Sequence, residues 1–330
     1  MNTFSKNQVN FYTVTNNDID QRIDNLLIKI LKNIPKSHIY KIIRSGEVKI
    51  NNKKVNQTQR VQLNDIIRIP PLKITANTSG ITSTKIPNIS LAKFIPNILF
   101  EDEFFLIINK PANLACHGGS GISFGLIELL RQLDTYKNNF LELAHRLDRD
   151  TSGILIFAKQ RSALIAIQNI IKNNLMHKNY ISLSYIEQKN LHNNAQQFSV
   201  ELPLYKYLTP SGERRVRVDK QLGKYAKTIF QILESNNNFI LLKAQLKTGR
   251  THQIRVHLQS NYLPIVGDTK YGNDNINKEL QSVSKRMFLH AYEIKFTHPI
   301  NNQKIHIISK LPKELINILN HLNLKSDNIT

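Results

Sequence analysis

Residues 143–159 read LAHRLDRDTSGILIFAK. An apolar lead-in and the strand-like run GILIFAK enclose Arg146, Asp148, Arg149 and Asp150. Charged side chains are almost never fully buried unless paired, so four of them beside a core strand must be partnered or put to use. Thr151, Ser152 and Gly153 suit a tight loop that returns the chain into the strand.

Working outward, residues 98–325 alternate strand-like and helical runs. FFLIINK (104–110) reads as a strand ending at Pro111, GLIELLRQL as a helix, and GILIFAK as a strand followed by the helix RSALIAIQNIIKNNLM. ISLSY, FSVEL, RRVRV, AKTIFQIL and FILLKAQL follow as strands, THQIRVHLQ as a helix, then strands around FLHAYEIKF and KIHII. Strands outnumber helices and are often consecutive, which predicts an α+β class with a large mixed sheet and helices on its faces.

Residues 19–70 form a separate unit. Ile23, Leu26, Leu27, Ile30 and Leu31 recur at the spacing of one helical face. Pro35 ends that run, Ser37 reads as the N-cap of a second helix carrying Ile39, Ile42 and Ile43, and Gly46 as its stop. EVKINNKKV predicts two short strands around Asn51-Asn52, and RVQLNDIIRI a closing strand pair. Lys36, Lys41, Arg44, Lys49, Lys53, Lys54, Arg60 and Arg68 give the unit a basic outer face. Residues 71–97 mix Pro, Thr, Ser and Asn without period and read as a linker.

The chain has 330 residues with 45 Lys+Arg against 24 Asp+Glu, a formal charge of +21. Heavy use of Lys, Asn and Ile accounts for part of this; the clustering of arginines in particular segments is not explained that way, and the field of such a chain attracts polyanions, nucleic acid first. The single cysteine, Cys116, excludes an intrachain disulfide, and no Cys/His spacing suggests zinc. No apolar run reaches membrane-spanning length and no secretory signal is visible, so a cytoplasmic location is expected.

Three further segments are candidates for chemistry. GGSGISFG (118–125) lacks the dinucleotide fingerprint and reads as a loop near a substrate or a structural turn. In LKTGRTHQIRVH (246–257), helical spacing puts His252 and Arg255 on one face, and an inward Arg255 must find a carboxylate in space, with Asp148 or Asp150 as candidates. Gly267-Asp268 and Tyr271-Gly272 read as turns, and Lys178-Asn179-Tyr180 as a strand head. DRDTS has the order of the aspartate-nucleophile phosphatase loop, but it follows AHRL rather than a buried strand and has no downstream acidic cluster for Mg²⁺.

Taken in order, HRLDRDTSG, Lys178-x-Tyr180, TGRTHQIRVH and RMFLHA (286–291) resemble the catalytic domain of the RluA-type pseudouridine synthases over most of 98–310. The runs HGGSGISFG (117–125), FLEL (140–143), RSAL (161–164) and SGERRVRV (211–218) are most similar to members acting on the large ribosomal subunit. The unit at 19–70 resembles the S4 RNA-binding domain through RID (22–24), IRSGEV (43–48) and NDII (64–67), with Asn51-Asn52 and Asn64-Asp65 where Asn-Gly and Gly-Asp are common.

The resemblance implies isomerisation of uridine to pseudouridine in 23S rRNA or a large-subunit precursor, with the base flipped out of the stack. It makes Asp148 the essential carboxylate and Arg255 its ion-pair partner. It gives Tyr180 the tasks of stacking on uracil and assisting loss of the C5 proton, and makes Leu289 the other wall of the slot. Arg146 would fill the space the base leaves, Arg149, Arg250 and His252 would contact RNA, and Asp150 would brace the loop. Asp148 can add to the base, attack the sugar or abstract a ribose proton; the sequence leaves these open. No cofactor is implied, and a monomer without metal or membrane attachment is expected. Three alternatives stay in view: a catalytically silent RNA-binding or ribosome-assembly protein, a synthase of the same family acting on tRNA, and a base hydrolase using the same carboxylate.

Overall fold

The computed structural model describes residues 8–31, 34–72, 97–119, 124–137, 139–188, 196–283 and 285–325. Most of the expected linker and residues 120–123 of the glycine-rich run lie outside them. The chain divides into two compact units, one of residues 1–87 with 160–165, the other of 88–159 with 166–330.

In the first unit the order is β1 (Asn10–Thr13), α1 (Ile23–Ile30), α2 (Lys36–Arg44), β2 (Lys49–Ile50), β3 (Lys53–Lys54) and β4 (Ile66–Ile69). The strands form a sheet in the order β1-β4-β2-β3. The predicted apolar faces pack as expected: Ile23, Leu26 and Leu27 from α1 and Ile39, Ile42 and Ile43 from α2 meet Val48, Ile50, Val61, Ile67 and Ile69 in one core. Asn51 and Asn52 take φ of 49° and 65° in the β2–β3 turn, and Gly46 (φ 75°) closes α2, as their residue types allow.

Three local expectations are corrected. Pro35, not Ser37, precedes the first turn of α2, and no side chain caps it. RVQLNDIIRI yields one strand rather than two, because Asn64 turns at φ 65° and the Asp65 carboxylate accepts the Gln62 N–H at 2.7 Å, closing a turn. Strand β1, which lies before the expected start of the unit, pairs antiparallel with β4. Its sequence, NFYT, is too short to announce a strand by alternation.

The second part of the chain runs β5 (Ile98–Glu101), β6 (Phe105–Lys110), α3 (Leu126–Leu130), β7 (Glu142–Leu143), β8 (Ser152–Ala158), α4 (Arg161–Lys172), β9 (His177–Tyr185) and β10 (Gln197–Glu201). It continues with β11 (Leu204–Leu208), β12 (Arg214–Val218), β13 (Lys227–Ser235), β14 (Phe239–Leu246), α5 (Gln253–Gln259), α6 (Asp274–Glu279), β15 (Leu289–Thr297), β16 (Lys304–Ile308) and α7 (Lys313–His321). Among the described residues the strands make a ten-stranded sheet along β10-β13-β14-β9-β15-β8-β6-β5, with β16 on β15 and β7 on β8, and a separate β11–β12 hairpin. Every pairing in the large sheet is antiparallel except β8 with β15. This is the α+β architecture with a large mixed sheet anticipated above, and the sheet is mainly antiparallel.

Every residue of β8 is buried, as its unbroken apolar run requires of a central strand. Gly153 in this strand has φ 106°, and a Cβ there would collide with the Ala291 carbonyl of β15. Only glycine allows the two strands to meet so closely at the exit of the Asp148 loop. Strand β9 begins at His177, so Tyr180 sits inside it rather than at its head.

Candidate active site

The centre of the sheet assembles the site. His290 pairs with Ser152 and Ala291 with Gly153 across β15–β8, while Leu289 pairs with Ser182 and Ala291 with Tyr180 across β15–β9. Tyr180 and Leu289 therefore face the same side of the sheet on neighbouring strands. On β14, Ala244 pairs with Tyr180, which puts Leu246 on that side as well. All three border a cleft of about 1630 Å³, together with Arg146, Asp148, Arg149, Asp150, Lys178, Arg250, His252 and Arg255. Every site residue expected from the sequence thus lines one cavity.

Arg255 is the anchor. Its side chain is 3% exposed and donates from one guanidinium nitrogen to Asp148 Oδ2 at 2.8 Å. The other two nitrogens form a fork on Asp268, at 2.7 and 2.8 Å. Burial opposes the charge of Arg255, but hydrogen bonding to Asp268 and the charges of Asp268 and Asp148 raise its pKa above the ordinary guanidinium value. Asp268 is fully buried and also accepts the backbone N–H groups of Lys270 and Tyr271 at 2.8 and 3.1 Å. It fixes the guanidinium plane, which leaves one donor aimed at Asp148. Asp148 itself is about a quarter exposed (26%) and opens to the cleft.

The expected partnership of Arg255 with Asp148 is present, and Asp150 plays no part in it: Asp150 accepts from Arg149 Nε at 2.9 Å, and that arginine is 60% exposed. His252 does not share the helix with Arg255. It precedes α5 in a left-handed conformation (φ 52°). From there Nε2 stands 3.8 Å from Asp148 Oδ1, and Nδ1 meets the Tyr271 hydroxyl at 2.8 Å. Burial lowers the His252 pKa more than the Asp148 charge restores it. Tyr271 also accepts the Val216 N–H at 2.9 Å, and its ring lies 5.0 Å from the Arg255 guanidinium carbon. This ties the β11–β12 hairpin to the floor of the site, where Leu204, Val216, Ala226, Val256 and Tyr271 share a small core.

Burial, and then the charge of Asp148, raise the Tyr180 pKa above the ordinary phenol value, so its hydroxyl stays protonated. Arg146 is exposed at the cleft rim. Arg250 donates to the Tyr225 carbonyl at 2.9 Å, and Gln253 holds its turn by accepting the Arg250 N–H and the Thr248 hydroxyl at 2.9 and 2.8 Å.

The Asp148 loop is held from below. The Lys110 ammonium, fully buried at the end of β6, donates to the carbonyls of Pro111, Leu114 and Arg149 at 2.7, 2.8 and 3.0 Å. Burial lowers its pKa to about 8. The Cys116 thiol exchanges hydrogen bonds with the Leu147 backbone, at 3.2 and 3.3 Å. Ser152 receives an Arg286 donor at 2.6 Å and meets His290 Nδ1 at 2.7 Å, and His290 Nε2 reaches the Ser309 carbonyl at 2.9 Å. Glu128 accepts the N–H groups of Gly118 and Gly125, at 3.0 and 2.8 Å, and so pins both ends of the glycine-rich run.

Asp268, Tyr271 and Lys110 were not singled out by sequence reasoning as site residues. Gly267-Asp268 and Tyr271-Gly272 carry only turn signals, and Lys110 looks like a strand-end lysine before proline. For Asp268 there is one signal, that an inward Arg255 with a single partner leaves donors unsatisfied; Tyr271 and Lys110 have none.

The chain is similar to known proteins in both sequence and fold. Residues 104–260 match the RNA pseudouridylate synthase family model, and residues 21–67 match the S4 domain model. The chain is 43% identical over 318 residues to the ribosomal large subunit pseudouridine synthase C of Haemophilus ducreyi, covering 96% of each. It is 39% identical to the protein of the same name from Escherichia coli K12, covering 95% of this chain and 97% of that one. In fold it is similar to human RNA pseudouridylate synthase domain containing 4, with a TM-score of 0.58 at 24% identity over 72% of this chain and 97% of that chain. The chain therefore belongs to the RluA-type RNA pseudouridylate synthase family, with an S4 domain preceding the synthase domain.

Proposed function

We propose that the protein isomerises specific uridines of 23S rRNA, free or in a large-subunit precursor, to pseudouridine. The observation that carries this reading is Asp148 in an open cleft, held by an arginine that a second, buried carboxylate fixes from behind. Full-length similarity to large-subunit synthases supports the substrate. Within this reading, residues 19–70 bind RNA and residues 98–325 carry out the reaction. The enzyme works as a cytoplasmic monomer; among the described residues no helix is long and apolar enough to cross a membrane.

The chemistry is an internal exchange of bonds. The N1–C1′ bond breaks, the uracil turns, C5 bonds to C1′, and the C5 proton leaves as N1 ends protonated. Atoms and charge balance within the nucleotide, so no redox partner or activated donor is consumed. The target base must leave the stack to reach the cleft. In this reading Arg146 at the rim occupies the gap, and Arg149, Arg250 and His252 meet the flanking backbone; their position on the cleft lining supports these roles. Uracil enters between Tyr180 and Leu289. The Asp148 carboxylate then acts at the base, the sugar carbon or the ribose proton, with Arg255 fixed beside it. Because the charge and orientation of Arg255 are set before substrate arrives, little reorganisation accompanies the step. Tyr180, held protonated, does not act as a free phenolate base; its hydroxyl assists loss of the C5 proton, which passes to solvent as N1 takes one up.

The test is mapping of pseudouridine in 23S rRNA incubated with the purified chain or its Asp148→Asn variant. New pseudouridine with the wild type alone supports the proposal. Uridine left intact would make the protein a silent RNA binder, and release of free uracil would make it a hydrolase. Modification of tRNA in place of 23S rRNA would move the enzyme to another substrate.

A further inference from the structure

The outer face of the four-stranded sheet takes no part in the reaction proposed above. Its register aligns one residue from each strand in a single row: Phe11 opposite Arg68, Arg68 opposite Lys49, and Lys49 opposite Lys54. Cross-strand partners share a face, so an aromatic ring and three cations lie side by side, about 5 Å from strand to strand. The alternate row sends Ile67 and Ile50 into the core. The outer row is therefore not exposed for want of a core to join; its residues are on the outside by register.

Phe11 is 61% exposed and Ile66, on the same face, 49%. With Thr13, Asn51, Asn52 and Arg68 they border a groove of about 410 Å³. That volume is within the range of small-ligand sites, about 300–1,000 Å³. Among the described residues, the ion pairs of this unit, Arg22–Asp24, Lys29–Asp18 and Arg60–Asp20, leave Arg68, Lys49 and Lys54 out. Arg68 donates to the Glu47 backbone carbonyl at 2.9 Å, which steadies the guanidinium without neutralising it. The neighbouring carboxylates are turned to other tasks: Asp65 accepts from Gln62 and Asn51, and Glu47 from the Ser45 hydroxyl.

A solvated aromatic ring at the end of an uncompensated row of cations suits one kind of partner. Single-stranded nucleic acid offers an unstacked base to the ring and phosphates to the cations. A duplex keeps its bases stacked inside and offers phosphates alone. We propose that this sheet face binds an unpaired stretch of the RNA substrate, with one base on Phe11 and the adjoining phosphates on Arg68, Lys49 and Lys54. The proposal rests on RNA being the substrate and adds where, and in what form, a second part of it is held.

The full chain is titrated with a fluorescent 12-nucleotide single-stranded oligouridylate and with an RNA duplex of equal length. Phe11→Ala should weaken single-strand binding about tenfold, with the duplex little affected, and Phe11→Tyr should restore it. Arg68→Glu with Lys49→Glu should lower the salt dependence of single-strand binding by about two phosphate contacts. Ultraviolet cross-linking of the oligouridylate should mark the peptide containing Phe11. Equal single-strand affinity in the wild type and Phe11→Ala, with an unchanged salt slope in the double variant, overturns the proposal. So does protection of Phe11 seen only when ribosomal proteins are present, which would give the face to a protein. Pseudouridine formation by the wild type is assayed in parallel: its absence would undo the enzyme assignment, while its presence with failed single-strand binding would undo only the sheet-face site.

Discussion

Two sets of arginines and lysines in this chain are built on opposite principles. In the cleft, Arg255 is buried, forked on Asp268 and aimed at Asp148. On the first unit, Lys36, Lys41 and Arg44 of α2 stand exposed, with no carboxylate within their own helix. A buried cation needs its partners already in place, because leaving it unpaired is expensive. An exposed cation keeps its water until a phosphate arrives, and then contributes mainly by releasing counterions. The first kind sets chemistry and is insensitive to salt. The second sets affinity and is governed by salt.

The sharpest way to break this division is at Asp148. Asp148→Asn should lower the isomerisation rate by at least about a thousand-fold, as loss of a reactive group commonly does, with RNA affinity close to wild type. Measured turnover and binding must separate; if both fall together, the cleft charges serve affinity after all. Arg255→Ala comes next. It strands Asp268 in the core, so stability should drop by about 3–5 kcal/mol, and the rate by roughly a hundred-fold or more. Arg255→Lys keeps the charge but loses the fork, and should recover stability better than rate; thermal melts and single-turnover assays read the two effects. Reversing Lys36, Lys41 and Arg44 to Glu tests the other side. Affinity for rRNA should fall about ten- to a hundred-fold at low salt and the slope against salt should flatten, while turnover at saturation stays near normal.

A smaller effect follows from Lys110. Its pKa is lowered by burial from 10.5 to about 8. Between pH 8 and 10.5 the unfolded chain binds a proton that the folded chain has released, so this group makes stability rise with pH across that window and adds no slope below it. Over the same range the amine falls to two N–H groups for three carbonyls, the Arg149 carbonyl among them. Activity should therefore decline above pH 8 while the contribution of this group to stability improves. Lys110→Met should remove both responses and run about tenfold slower throughout, by loosening the placement of Asp148; a pH–rate profile beside melts in the same buffers checks it. The smallest effect is expected at Asp150. Its partner Arg149 is 60% exposed and open to solvent screening, so Asp150→Ala should change stability by less than about 1 kcal/mol, and the rate by less than about twofold.

Much of this division is legible in the amino-acid sequence. Periodicity in α1 and α2, the apolar run of β8 and the strand-rich remainder give the class, and the motif order brings Asp148, Tyr180, Arg255 and Leu289 into one cleft. What stayed hidden has physical causes. The helical spacing that placed His252 beside Arg255 assumed a helix one residue longer; His252 adopts a left-handed conformation and reaches Asp148 from the turn instead. Asp268 sits only 13 residues after Arg255, within a segment whose glycines signal turns and nothing more. A turn residue that the tertiary fold buries has no local pattern to announce it. Strand β1 is short, and pairing with β4, not alternation, makes it a strand.

The parallel pairing of β8 with β15 has a consequence in time. Ser152 and His290, opposite each other in that pairing, are 138 residues apart in the chain. Closing so long a loop is among the slower events of folding, and during synthesis it waits for β15 to leave the ribosome. Until then the Asp148 loop has no Leu289 across the slot. The nascent chain can thus form its first unit early, while the reactive cleft is among the last parts to be completed.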